Sequence, residues 1–180
     1  MKREIVNTNP KSKLTLPMAG RDHIQGPIDA PIALVEYGDY ECPYCGEAYP
    51  VVKAIQKRLG NRLCFVFRNF PLIDSHPHAQ HAAEAAEAAD LQGKFWEMHD
   101  MLFENQDDLA DEDLTRYATS LGLDAARIMR EVLSGTHARR VREDLQSGER
   151  ADVNGTPTFF INGERYDGAL DLHVFPGEDA

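Results

Sequence analysis

The run Ile32-Ala33-Leu34-Val35-Glu36-Tyr37 constrains this chain more than any other segment. A strand with one wet face alternates apolar and polar residues. This run is almost continuously apolar, as a strand covered on both faces requires. Gly38-Asp39-Tyr40-Glu41 then turns the chain, and from Pro43 to Leu59 the apolar positions Tyr49, Val52, Ile55 and Leu59 recur at helical spacing, with Gly60 as a stop signal. Leu63–Arg68 reads as a second strand, Phe65 and Phe67 alternating at period two. Strand, helix and strand in this order make a parallel pair joined by a crossover helix.

Residues 1–30 are polar and broken by Pro and Gly, which reads as an irregular arm with a short strand near Lys13–Leu16. Beyond the second strand the pattern is helical throughout. Ala79–Leu91 is alanine-rich with a polar stripe at His81, Glu84 and Glu87, and Lys94–Glu104 carries an apolar face. Glu112–Leu121 and Asp124–Leu133 each end at a glycine, as C-terminal caps prefer. Thr136–Gln146 is charged, with Arg139–Glu143 and Arg140–Asp144 at the spacing of exposed pairs; its arginines read as a solvated face, not an anion site. Thr158–Ile161 and Glu164–Tyr166 flank Asn162-Gly163, a strong hairpin signal. The fold class is therefore α/β, a mixed central sheet flanked by helices, with an all-helical insertion between its βαβ and ββ halves. The expected division is an arm over 1–22, a core over 23–72 and 152–170, an insertion over 73–151 and a tail over 171–180.

Composition removes several classes of function. The 180 residues carry a formal charge of −11, which repels phosphate backbones and argues against nucleic-acid binding. No stretch approaches the roughly 18 to 20 apolar residues of a membrane helix, so no membrane insertion is expected. The N-terminus has two basic residues, Lys2 and Arg3, but no apolar core or cleavage site follows. A cytoplasmic location is the expectation, or an extracytoplasmic one if a leader has been removed.

Two of the three cysteines stand as Cys42-Pro43-Tyr44-Cys45. A bridge closing so short a loop is worth only about 2 kcal/mol in the chain-entropy model, a poor staple. The pair suits reversible exchange instead. Cys42 opens a helix with Pro43 at its first position, so free N–H groups and the positive end of the helix dipole face its sulfur. That favours thiolate, the attacking species in disulfide exchange. Cys45, one turn later on the same face, can attack a mixed disulfide at Cys42 and release the substrate. Zinc would need two further ligands. Cys64 with His76 or His78 could complete a set on paper, but Cys64 lies in a strand and reads as a small buried hydrophobe. Loop-to-helix packing and capping account for His76, His78 and His81, and packing in or near the core for His99. No metal site and no cofactor beyond the Cys42–Cys45 dithiol/disulfide pair is expected.

With these motifs in order, and Gly155-Thr156-Pro157-Thr158-Phe159 before the hairpin, the sequence resembles the DsbA-like branch of the thioredoxin superfamily over about residues 22–170. The resemblance implies a thioredoxin fold and thiol–disulfide exchange with protein substrates. It makes Cys42 the nucleophile and Cys45 the resolving thiol, and gives Pro157 a cis peptide bond after Thr156 that docks an extended substrate. Pro43, Tyr44, Thr156 and Pro157 are then the substrate-binding residues. Glu36 matches the acidic position six residues before the nucleophile. It reads either as a strand-end carboxylate in a salt bridge or solvent, or as a buried group that takes the proton from Cys45. The central Pro-Tyr is that of glutaredoxins and lacks the histidine of the best-known DsbA proteins. The expected potential is therefore moderate, between about −230 and −150 mV, with a Cys42 pKa below that of a free thiol but above roughly 3.5. The C-terminal segment is too short and too broken by Pro and Gly for a closing helix. Two alternatives remain open on sequence: a reductase coupled to glutathione or another thiol reductant, and a non-enzymatic thioredoxin-fold module that senses redox state.

Overall fold

The structure, a computed structural model, describes Leu14 and residues 20–175. Five strands form one mixed sheet: β1 (His23–Gln25), β2 (Ile32–Gly38), β3 (Leu63–Asn69), β4 (Thr158–Ile161) and β5 (Glu164–Tyr166), in spatial order β1-β3-β2-β4-β5. β2 and β3 are parallel, and the β1–β3, β2–β4 and β4–β5 pairs are antiparallel. The apolar run is thus the central strand. Its side chains divide by parity: Leu34 packs with Phe65, Phe67 and Phe159 on one face, and Ala33, Val35 and Tyr37 pack with Cys64, Val66 and Phe160 on the other. Complete burial of Leu34, Phe67 and Phe160 is worth roughly 1.5–3 kcal/mol each. Helix α1 (Pro43–Leu59) adds Val52, Ile55 and Leu59 to the first face. At the hairpin, Asn162 and Gly163 both take positive φ (48° and 82°), the backbone that a two-residue turn between twisted strands demands.

Between β3 and β4 lie α2 (Ala79–Asp90), α3 (Phe95–Glu104), α4 (Asp111–Ser120), α5 (Ala125–Leu133) and α6 (Ala138–Arg150). The alanine-rich α2 is their axis, packed against each of the other four. Small side chains on every side let those neighbours approach closely.

Several expectations need revision. The arm contributes a strand, β1, too short for periodicity to reveal. The Lys13–Leu16 strand lies outside the described residues apart from Leu14, whose N–H donates to Gly163 O at 2.8 Å. Glu84 and Glu87 are buried, not a wet stripe. The Arg140–Asp144 pair, at 2.6 Å, is not exposed either, since the Asp144 side chain is fully buried against β3 and accepts the Asn69 N–H at 3.0 Å. Arg139–Glu143 is the surface pair expected. Leu172–Val174 forms a single 3-10 turn, held by Arg58 donating to Leu172 O at 3.0 Å.

Candidate active site

Cys42 is the N-cap of α1, in extended conformation (φ −72°, ψ 121°), with Pro43 next. The missing N–H of proline costs nothing there, and its fixed φ starts the helix. The cysteines are free thiols. The Cys42 pKa is lowered to about 5, first by a hydrogen bond from Cys45 and further by Thr156 and the backbone N–H groups of Cys45 and Tyr44, against the opposing effect of burial. The Thr156 carbonyl oxygen lies 3.5 Å from this sulfur, and the buried Thr156 hydroxyl has no hydrogen-bond partner among the described residues. Cys45, one turn along, is fully buried, and its Sγ accepts the Asp39 N–H at 3.5 Å. Burial above all, then the bond to Cys42 and the negative charges of Glu36 and Cys42, hold its pKa well above that of a free thiol.

Glu36 projects from the face of β2 that packs on α1, flanked in register by Phe67 on β3 and Phe159 on β4. It is 2% exposed, its Oε1 has no hydrogen-bond partner, and it makes no ion pair among the described residues. The salt-bridged or solvated reading therefore fails. Burial first, and the Cys42 charge second, push its pKa up to about 8. Gly38 leaves the room it needs: a Cβ there would lie 2.5 Å from Phe67 and 3.1 Å from Glu36 Oε1.

The Thr156–Pro157 peptide is cis. Pro157 and Tyr44, the latter 69% exposed, share a groove with Glu47, Val51, Phe159 and Arg165. Pro43 is exposed at the same helix end. The seven residues singled out in the sequence thus fall at one end of the sheet, around the N-terminus of α1.

Asp39 and Gln106 also shape this end of the molecule, and the sequence reading assigned them nothing. Asp39 Oδ1 accepts the Glu41 N–H at 2.8 Å, an Asx turn, while Oδ2 accepts Leu72 N–H at 2.8 Å and pairs with His76 Nδ1 at 2.7 Å. An Asp two residues before another turn residue was the available signal. Gln106 had none, because it approaches from the insertion. His76, His78 and His81 do not cap α2: His78 occupies the N-cap position without a side-chain capping bond to the helix. Each instead meets one carboxylate, Asp39, Glu41 and Asp111 respectively. No group of three or more His, Cys, Asp or Glu able to hold a metal occurs among the described residues. His99 is buried, its Nδ1 3.0 Å from Tyr40 Oη.

Comparison with known proteins agrees with this architecture. The thioredoxin family model, described as "Thioredoxin", matches residues 18–175. The chain is similar in structure to BdbD from Bacillus subtilis (TM-score 0.78, 24% identity, 88% of this chain and 89% of that one). It is likewise similar to α-DsbA1 from Wolbachia pipientis (0.74, 22%, 90% of each). In sequence it is 48% identical over 154 residues to Na(+)/H(+) antiporter NhaA 1 of Salinispora arenicola, covering 86% of this chain and 24% of the antiporter. A second antiporter, from Mycobacterium sp. strain KMS, is 48% identical over 155 residues, covering 84% and 25%. The chain spans about a quarter of the length of these curated relatives. The sheet order, the helix that begins at Cys42, the helices inserted before β4 and the near-complete match to the family model place this chain in the thioredoxin family, with the fold of the DsbA proteins.

Proposed function

We propose that the chain is a thiol–disulfide oxidoreductase module that exchanges disulfides with protein thiols through Cys42-Pro43-Tyr44-Cys45. One arrangement carries this: Cys42 caps the N-terminus of α1 while Cys45, one turn on, is fully buried, which moves their pKa values apart, Cys42 down to about 5 and Cys45 up. A pair so arranged has one ready nucleophile and one thiol that stays protonated until it is needed. In the reducing direction, Cys42 thiolate attacks a substrate disulfide, forming a mixed disulfide and releasing one substrate thiolate. Capture of the charge on Cys42 removes the lesser of the two influences that keep Glu36 protonated. Glu36 then gives its own proton to solvent more readily, and the carboxylate so formed takes the proton from Cys45, whose thiolate attacks Cys42 Sγ and expels the second substrate thiolate. Electrons balance: the substrate disulfide gains two, and Cys42 and Cys45 lose two as their bridge forms. The oxidising direction is the reverse, with Glu36 returning the proton to Cys45.

The substrate docks beside Pro157 and Tyr44 in this reading. Protein substrates are favoured over glutathione by the charges of that groove. Among the described residues that line it the one cation is Arg165, already bonded to Asp167 and to Asp152 O at 2.7 Å each, while Glu47 and Asp167 are acidic. Two glutathione carboxylates would find little there to hold them. The antiporter names belong to chains about four times the length of the matched segment, and the thioredoxin family model spans residues 18–175 of this chain, so ion transport is not proposed for it. The test is insulin reduction by dithiothreitol set against a glutathione-coupled assay. The expected result is catalysis of the first and much weaker activity in the second. Stronger glutathione activity would favour the glutaredoxin-like alternative, and a folded protein inactive in both would be a redox-sensing module.

A further inference from the structure

Gln106 follows α3 and reaches back 64 residues to the active-site turn. Its Nε2 donates to Tyr40 O at 2.8 Å and to Cys42 O at 2.9 Å, which uses both amide protons. Cys42 O also accepts the Gly46 N–H at 3.1 Å, so both lone pairs of that carbonyl are engaged. The peptide plane joining Tyr40 to Glu41 is held at both edges, its N–H by Asp39 Oδ1 and its carbonyl by Gln106. The other side of the carboxamide fills space at α1: a Cβ on Gly46 would lie 1.8 Å from Gln106 Oε1. Glycine near the start of a helix costs up to about 1 kcal/mol against alanine, and here it admits the glutamine.

The N–H groups that favour the Cys42 thiolate belong to Tyr44 and Cys45, and their aim depends on the backbone angles at Cys42 and Pro43. Proline fixes its own φ and donates nothing. The carbonyl of Cys42 lies in the same plane as the Pro43 nitrogen, so fixing that oxygen fixes the entry angle of the whole first turn. We propose that Gln106 is a positioning residue for Cys42: by clamping the Tyr40 and Cys42 carbonyls from the helical insertion, it holds the first turn of α1 so that its N–H groups converge on the nucleophilic sulfur. The inference rests on the thiol–disulfide reading of the site.

The test titrates Cys42 by thiolate absorbance and by alkylation rate in wild type, Gln106→Leu, Gly46→Ala and the double variant, with circular dichroism to establish folding. Gln106→Leu keeps bulk and loses both donors. It is expected to raise the Cys42 midpoint by about one pH unit, a tenfold loss of thiolate below that midpoint, and to shift the glutathione equilibrium about tenfold toward the Cys42–Cys45 disulfide. Gly46→Ala displaces the same carboxamide and is expected to act in the same direction, deciding the matter alone should the leucine variant not fold. The double variant is expected to go no further than the larger single, because one contact is lost in both. Folded variants with a wild-type midpoint, or strictly additive shifts, would overturn the role of Gln106. A wild-type midpoint near that of a free thiol would instead overturn the thiol–disulfide reading itself.

Discussion

Adjacent residues on β2 lead to two opposite treatments of buried polar groups. Glu36 points toward α1, where its Oε1 has no partner and the two neighbouring thiols are displaced from their ordinary ionisation. Tyr37 points to the other face, where its hydroxyl accepts from Arg68 at 2.8 Å and bonds Ser147 at 2.8 Å. Around it and across the β1–β3 edge to the first face the charges are matched. Arg68 holds both oxygens of Asp22, at 2.9 and 2.8 Å. Glu87 accepts from His23 Nε2 at 2.9 Å and Asn69 Nδ2 at 2.8 Å, and Asp144 accepts from Arg140 and the Asn69 N–H. The second region joins the arm, β3, α2 and α6. The first leaves groups short of partners, so that each proton can move at modest cost. Paired charges fix structure even where Asn69 Oδ1 is left without a partner, and an unpaired buried carboxyl keeps chemistry available.

The contrast makes distinct predictions. Asp144→Ala takes the nearest carboxylate from Arg140 and the acceptor from a buried backbone N–H, and is expected to cost about 3 kcal/mol of stability, with the exchange rate per folded molecule unchanged. Urea unfolding beside an insulin assay measures both, and a loss below 1 kcal/mol would mean that the network is not worth what its geometry implies. Glu36→Gln is expected to do the opposite, leaving the fold intact and slowing exchange on the order of a hundredfold. The pH–rate feature near 8 should go with it. An unaltered profile would return Glu36 to a structural role.

The third effect is a slope. Glu36 has a folded pKa raised from 4.5 to about 8, so its share of stability is full below about 4.5 and is lost as pH rises through about 8. Cys42 has a folded pKa lowered from 9.0 to about 5, so its share is present above about 9 and is lost as pH falls through about 5. Between about 5 and 8 these oppose each other, and wild-type stability is expected to be nearly flat there. Over the same range Cys42→Ser should lose stability with rising pH and Glu36→Gln should gain it. Parallel curves for all three proteins would sever the link between the two groups.

What the sequence reveals and what it hides follow from the range of the interactions. The parity of β2, the helical spacing along α1, the Asn162-Gly163 hairpin and the Cys42–Cys45 spacing are local patterns, each readable within a dozen residues. Gln106 on Cys42, Glu87 on His23 and Asp144 on Asn69 join residues 64 or more apart. In sequence, Glu84, Glu87 and Arg140 look like any solvated helix face. Only the packing of α2 between its neighbours makes the two glutamates interior and half-buries Arg140. Glu36 is intermediate, since its burial was legible from the run around it but its lack of a partner was not.

The central claim is the division of labour between Cys42 and Cys45, and mixed-disulfide trapping tests it most directly. Cys45→Ala, mixed with oxidised protein substrates and quenched in acid, is expected to accumulate covalent adducts that dithiothreitol releases and that map to Cys42. Cys42→Ser should give none, with exchange abolished. Adducts on Cys45 in the Cys42→Ser protein, or full exchange activity in either single variant, would contradict the account.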